Sequence, residues 1–562
     1  MGKSAAHRAD RAGIPSVWSR APAAVILPLL IGLLTWGLYL PSASQVVQLS
    51  PDMVEFVDVA RRFVNGEGYV QGVKSYHIGG PEVIQDGMIH RPPLFTLVMA
   101  GILKLGFGLP AVQVVNAAFG AVSAAMVCSL GLRLFGRTVG IAAGVLAAAN
   151  PIALEQQVPI LSDALATALT MVAVRLLVEA VEQESIVPAA LAGLAFGLGY
   201  LTRPPVVVIL VAVALVLPLV VRDRRLLWRL LSGLLAGAAV IGIPTTLYSL
   251  VTRGRLSYSG KGYLYGVVSD ADIMENGFSN PILSPVEFIS SRPLFVLERI
   301  QVVATLYARS IFLEREWLLP LCLGWPGTLV ALFTRQYRRI VWIPLTAAAA
   351  NYVFYALTWS SWQDRFMLTT VFLLLPFVVD GLLRGARAIL HRVAAGSRSW
   401  RLDPARVFVG VVVVMTAWLW SPRFLEQYDG QFRYGERPAG TRVTDGLRWT
   451  GPPRWVNNGS FDEVLAWIRS DTSPDAVLAH GQPWPFALFS GRPVVLLPYE
   501  LSDERFRTFL IEYRVSYILY DPRDPQRRSY RDQLDDLEDD GIQSRRIESM
   551  VIYDTRPLWQ GR

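Results

Sequence analysis

SPDMVEFVDVARRFVNGEGY, Ser50 to Tyr69, follows directly on an apolar run, Ala21 to Pro41, of membrane-spanning length. Ser50 suits an N-cap, Pro51 the first helical position and Asn65-Gly66 the stop, so the stretch predicts a short helix. Met53, Phe56, Val57, Ala60, Phe63 and Val64 share one face, while Asp52, Glu55, Asp58 and Arg62 fall on the other. Such a helix is expected to lie on the outer membrane surface, apolar side down, and periodicity alone makes its acidic side a solvated face.

The flanking chain belongs in a bilayer. Its 562 residues are 52% hydrophobic and only 17% charged, and the mean hydropathy is +0.37, a composition for a polytopic membrane protein. The first run lacks a small-residue cleavage site and is followed by many similar runs, so it reads as a retained span. Cys128 and Cys322 lie in separate apolar runs, which argues against a disulfide framework or thiolate metal site. The formal charge of +8 sits mostly in basic clusters flanking apolar runs, where topology explains it without a nucleic-acid partner.

Those clusters, Lys3 to Arg20, Arg133/Arg137, Arg222 to Arg229, Arg335 to Arg339 and Arg384 to Arg406, alternate with poorly basic loops. Placing the clusters in the cytoplasm leaves residues 42–92, the turns 151–162, 201–205 and 359–365, the segment 252–315 and the C-terminal tail outside. The alternation requires about eleven spans. The segments 92–108 and 298–316 are then expected to be interfacial or re-entrant helices. The expected organisation is a cytoplasmic tail over 1–20, a membrane domain over 21–421 and an extracytoplasmic domain over 422–562. In that last part Ser460 is expected to cap a helix. Strands at AVLAH, RPVVLLP, VSYILYD and Met550 to Tyr553 then alternate with helices at Ser502 to Tyr513 and Arg528 to Asp540, the pattern of a small α/β unit with a mainly parallel sheet.

An acidic residue just after the first span, a helix ending in G-x-G-Y at Gly66 to Tyr69, and His90-Arg91-Pro92-Pro93-Leu94 opening the next apolar helix resemble the GT-C glycosyltransferases. The nearest group looks like glycosyltransferase family 39 and its bacterial relatives, the polyprenyl-phosphate-mannose protein mannosyltransferases and lipid A aminoarabinose transferases. Leu161-Ser162-Asp163-Ala164, GLAFGLGYLTR at 193–203, Asp364-Arg365-Phe366 and the PDAVLAHGQPWPFALFSGRPVV tail add to the resemblance, which covers nearly the whole chain. It implies a GT-C membrane fold in a bacterial plasma membrane, a polyprenyl-phosphate sugar donor, and a protein, lipid or polysaccharide acceptor on the outer side.

On that resemblance Asp52 matches the family's acidic residue and is expected to be the general base, and Asp163 matches a second family acid. The family often has Asp-Glu where this chain has Asp52-Met53, which leaves open whether Glu55 orients the acceptor or replaces the missing acid. Arg91, Arg203 and Arg365 fall at outer helix ends, where a forked guanidinium can grip lipid phosphate; snorkelling explains any one of them equally well. His90 and Tyr69, within the resembling motifs, are further donor-side candidates. No cofactor is expected; His77, Glu82, Asp86 and His90 leave room for a divalent ion, as in some relatives, but their spacing matches no compact ligand motif. A flippase and an inactive scaffold are the competing functions, against which stand the lack of an internal repeat and the clustering of acids at outer helix ends.

Overall fold

The computed structural model describes residues 21–43, 47–74, 82–87, 91–253, 290, 293–313, 315–334, 337–358, 364–393, 403–432, 447–449, 459–498, 501–522 and 531–560. The expected His77 and His90 candidates and most of 252–315 lie outside the described residues.

The membrane part comprises α1 (Ala21–Ala43), α2 (Pro51–Val64), α3 (Pro93–Lys104), α4 (Leu109–Phe135), α5 (Arg137–Ala149), α6 (Pro151–Gln157), α7 (Asp163–Gln183), α8 (Ile186–Tyr200), α9 (Val206–Val220), α10 (Arg224–Arg253), α11 (Pro293–Leu313), α12 (Arg315–Phe333), α13 (Trp342–Thr358), α14 (Asp364–Val393) and α15 (Pro404–Phe432). Among the described residues seven helices are long and apolar enough to cross a membrane, or eight if α5 and α6, bent by 60°, form one broken span. The other expected spans correspond to α8 and α9, fifteen residues each, and to α12. As expected, 92–108 forms only a twelve-residue helix, α3, closed by Gly106 at φ +85°.

Lipid cannot drive apolar helices together, so close backbone approach at small residues does much of the joining. α8 packs along α10, and a Cβ on Gly193 would strike the Leu234 carbonyl while one on Gly237 would strike that of Ala190. Gly324 and Gly381 join α12 to α14 in the same way.

The helices carry two distinct polar ends. Asp163 opens α7, whereas Glu179 and Glu182 at its far end pair with Arg133 of α4 at 2.9 Å each. Arg338 joins Glu182 at 3.2 Å, and Asp380–Arg384 and Arg387–Asp403 extend this end at 2.6 and 3.0 Å. It holds Arg133, Arg338, Arg384 and Arg387 from three of the basic clusters seen in sequence; Asp163 and Arg365 stand at the other.

The C-terminal unit contains α16 (Gly459–Asp471), β6 (Val477–His480), α17 (Pro483–Ser490), β7 (Val494–Leu496), α18 (Asp503–Glu512), β8 (Val515–Tyr520), α19 (Arg531–Asp539), β9 (Ser544–Ile547), β10 (Met550–Asp554) and α20 (Pro557–Gln560). Its predicted strands and helices form where expected, except that α16 begins one residue before Ser460, so Ser460 lies inside the helix rather than capping it. The loop after α1 carries β1 (Val47–Leu49), β2 (Val70–Gln71), β3 (Val73–Lys74) and β4 (Gln85–Asp86), and β5 (Leu447–Trp449) pairs in parallel with β1. The main sheet has the order β3-β7-β6-β8-β10-β9, parallel from β3 to β8 and antiparallel beyond. Its first strand comes from the loop after α1, so that loop and the C-terminal unit fold as one piece. Val73 of this strand, Met53 and Phe56 of α2, and Phe461 and Phe486 of the C-terminal unit share one apolar cluster.

That cluster corrects the expected setting of α2. Val54 and Val59, outside the predicted apolar face, are fully buried, and so is Glu55 at 6% exposure, whereas Phe63 of that face is exposed. The helix packs against α3 and α17, and a second covering layer leaves no broad solvated side. Ser50 occupies the N-cap position as predicted, but its side chain makes no capping hydrogen bond.

Candidate active site

The acidic side of α2 is an ion-pair network. Arg91, directly before α3, turns its guanidinium onto α2: Nε donates to Glu55 Oε2 at 2.8 Å, and a terminal nitrogen reaches Asp52 Oδ1 at 2.8 Å and Glu55 Oε2 at 2.6 Å. The Phe56 ring stacks 4.7 Å from the guanidinium carbon. Burial alone would favour loss of the proton, but Glu55 and Asp52 outweigh it, and the Arg91 pKa is raised. Further along, Asp58 accepts from Arg62 at 3.0 Å and from the Gly72 amide at 2.6 Å, which brings the loop strand back toward α2.

The second oxygen of Asp52 accepts from Arg365, at the start of α14, at 2.7 Å. Asp52 is 36% exposed, against 16% for the Arg365 side chain, so this carboxylate is the part of the network open to water. Asp163, 5% exposed at the first turn of α7, pairs with Arg203 in the α8–α9 turn. The Arg203 guanidinium also lies 4.8 Å from the Phe366 ring centroid, that of Arg365 5.0 Å from the same ring, and Tyr355 stacks on Phe366 at 4.4 Å. Asp52, Arg91 and Arg365 all act electrostatically on Arg203. The three arginines and two aspartates, brought from five separate segments, thus form one site. Arg365, Arg203, Asp163, Asn351, Tyr355 and Thr369 line a small cleft beside Asp52.

Hydrogen bonds hold the segments in place. The Leu94 amide donates to the Leu201 carbonyl at 3.0 Å, tying the Arg91 turn to the Arg203 turn. Asn116 of α4 donates to the Leu161 carbonyl at 3.1 Å and also contacts that of Pro159, fixing the turn before Asp163. Asn351 donates to the Phe366 carbonyl at 2.9 Å and Thr167 meets Thr369 at 2.9 Å, setting α14 against α13 and α7.

Of the sequence candidates, Asp52, Glu55, Asp163, Arg91, Arg203 and Arg365 come together. Tyr69 is placed differently from a donor-side residue: its hydroxyl donates to the Arg91 carbonyl at 3.0 Å, so it anchors the turn that presents Arg91. Trp484, Asn116, Asn351 and Tyr355 escaped sequence reading. Among the described residues no three His, Cys, Asp or Glu side chains cluster as metal ligands. The site carboxylates are instead each engaged by arginine.

Residues 90–248 match the family described as dolichyl-phosphate-mannose-protein mannosyltransferase. No curated protein sequence matches the chain. Among solved structures, ArnT from Cupriavidus metallidurans bound to undecaprenyl phosphate superposes with a TM-score of 0.55 at 13% identity, over 95% of this chain and 98% of that one. The oligosaccharyltransferase AglB from Archaeoglobus fulgidus, in complex with an inhibitory peptide and a dolichol-phosphate, gives 0.56 at 14% identity, over 90% of this chain and 70% of that one. These likenesses bear out the resemblance read from the motifs: the chain has the GT-C fold, helical in the membrane part with an α/β unit at the C-terminus.

Proposed function

We propose that this protein transfers a sugar from a polyprenyl-phosphate donor to an acceptor hydroxyl, with inversion, on the outer face of the membrane. The carrying observation is the convergence of Asp52 with Arg365 and Arg203 at a cleft on the helix end opposite Arg133, Arg338, Arg384 and Arg387. By the positive-inside rule that end faces outward. The matched ArnT structure holds undecaprenyl phosphate, and the family matched by 90–248 carries a lipid-phosphate sugar in its description.

In this reading Asp52 takes the acceptor hydroxyl proton as the oxygen attacks the anomeric carbon. The bond from that carbon to the phosphate oxygen breaks, and its electron pair leaves with the polyprenyl phosphate. Arg203 and Arg365 stabilise the charge gathering there, and both forks lie in a site largely closed to water, where such stabilisation is strongest. Arg91, spread over Asp52 and Glu55, orients the base. Both Asp52 oxygens accept from arginine; donor phosphate draws Arg365 from Oδ2 and opens that oxygen to the acceptor proton. Donor binding thereby switches on the base.

The test is incorporation of radiolabel from a panel of polyprenyl-phosphate sugars, incubated with membranes containing or lacking the protein. Label dependent on the protein is expected with at least one donor, and the labelled product identifies the acceptor. No protein-dependent label with any donor would overturn the transferase reading in favour of transport or scaffolding.

A further inference from the structure

We propose that Trp484 of the C-terminal unit is a positioning residue for this site, acting through Glu55 on Arg91 and so on Asp52. The C-terminal unit is then part of the catalytic centre, not a cover over it. The inference rests on the transferase reading above.

Trp484 Nε1 donates to Glu55 Oε1 at 3.0 Å, while the other Glu55 oxygen accepts from Arg91, whose guanidinium also meets Asp52. A carboxylate as buried as Glu55 needs its lone pairs filled. The indole supplies a donor without adding a charge or offering an acceptor that would compete for Arg91. Glu55 is thus shared between one neutral donor and one cation, and the terminal nitrogen of Arg91 that meets Glu55 Oε2 at 2.6 Å also reaches Asp52 at 2.8 Å. Without the indole N–H, Oε1 is left buried and unfilled, and the carboxylate draws more of the Arg91 fork toward itself and away from the base.

The indole is held on a rigid support. Pro483 opens α17, and Phe486, two residues beyond Trp484, is fully buried against Phe461, with ring centroids 5.2 Å apart. The sheet behind α17 takes β3 from the same loop that carries Arg91, so the unit cannot swing away from α2 without breaking the β3–β7 pairing. The loop at Gly87 to Arg91 is tied in turn by the Arg91 amide to the Gly87 carbonyl at 2.8 Å. Both ends of the Trp484–Glu55–Arg91 relay are therefore anchored to one folded piece.

The experiment compares Trp484→Phe, Glu55→Gln and the double variant of the full-length protein. Trp484→Phe keeps the ring and removes the donor. Its kcat is expected to fall roughly tenfold, the scale of one hydrogen bond to a charged group, with donor KM within about twofold of wild type. The double variant should be no worse than Glu55→Gln alone, because Trp484 acts only through Glu55. Independent, multiplicative losses would overturn the relay, as would a loss confined to KM. A second readout needs no turnover: in protein labelled with 5-fluorotryptophan, Glu55→Gln should shift one ¹⁹F resonance, the one missing from Trp484→Phe. An unchanged spectrum would overturn the contact. If Trp484→Phe does not fold, the spectrum of Glu55→Gln decides by itself, one shifted resonance supporting the relay and none refuting it. If wild type transfers no sugar, the functional reading fails while the fluorine shift still settles the contact.

Discussion

Replacing Asp52 by asparagine should slow turnover about a hundredfold or more and, against intuition, tighten the hold on lipid phosphate. Asp52 is bound by Arg365 at 2.7 Å and by Arg91 at 2.8 Å. Two unit charges about 4 Å apart attract by about 4 kcal/mol at an effective dielectric of about 20. Asp52 is 36% exposed, so water screens part of that attraction and the net lies nearer the about 1.5–3 kcal/mol of a hydrogen bond between charged groups. Phosphate binding must give up the Arg365 share of it. Asparagine keeps the shape and one acceptor oxygen but no charge, so about 1–2 kcal/mol is no longer lost, equivalent to roughly five- to thirtyfold tighter binding. Titration of purified wild type and Asp52→Asn with undecaprenyl phosphate in detergent checks this. Equal or weaker binding by Asp52→Asn would show that Arg365 does not exchange Asp52 for phosphate and would refute the switching argument.

Other outcomes follow from the same structure. Arg365→Lys keeps the charge but loses the forked donor, so donor KM should rise roughly tenfold in the transfer assay while the melting temperature holds. Lys74, fully buried in β3, has its ammonium pushed down from 10.5 to about 8 by burial, with Glu82 and Glu512 opposing. The unfolded chain therefore binds more protons between pH 8 and 10.5, and stability should rise across that window and flatten above it. Lys74→Met should raise the melting temperature at pH 7 and remove this slope, as thermal melts over pH 7–11 would show; a flat wild-type profile would exclude a charge held in the β3–β7 seam. Gly193→Val should lower the yield of folded protein in detergent chromatography, because the new side chain meets the Leu234 carbonyl on α10.

Most of the site was legible because its residues stand at helix ends, where a charge beside a membrane-length run is conspicuous. Asp52 follows α1, Asp163 opens α7, Arg91 and Arg203 each precede an apolar helix, and Arg365 stands in the first turn of one. What one-dimensional pattern could not show was pairing. The Asp52, Glu55 and Asp58 face of α2 has the periodicity of a solvated surface, yet Arg91 and Arg62 neutralise it and the C-terminal unit covers it. Trp484 sits among other tail aromatics, and nothing in its local sequence sets it apart; its role arises from a contact 429 residues distant in the chain. The C-terminal alternation of strands and helices was readable because each element keeps its own period. The joining of β3 was not, since two residues in an irregular loop carry no strand signal. Asn116 and Asn351 look like polar residues inside apolar helices, and only the structure reveals the carbonyls they hold.

The account's central claim is that Asp52 is the base for sugar transfer from a polyprenyl phosphate. Its most direct test is single-turnover transfer by purified wild type and Asp52→Asn at equal protein and saturating labelled donor. The account predicts a loss of about a hundredfold or more in Asp52→Asn, the weight of a general base. Equal rates for the two proteins would contradict it and turn attention to Glu55 and Asp163.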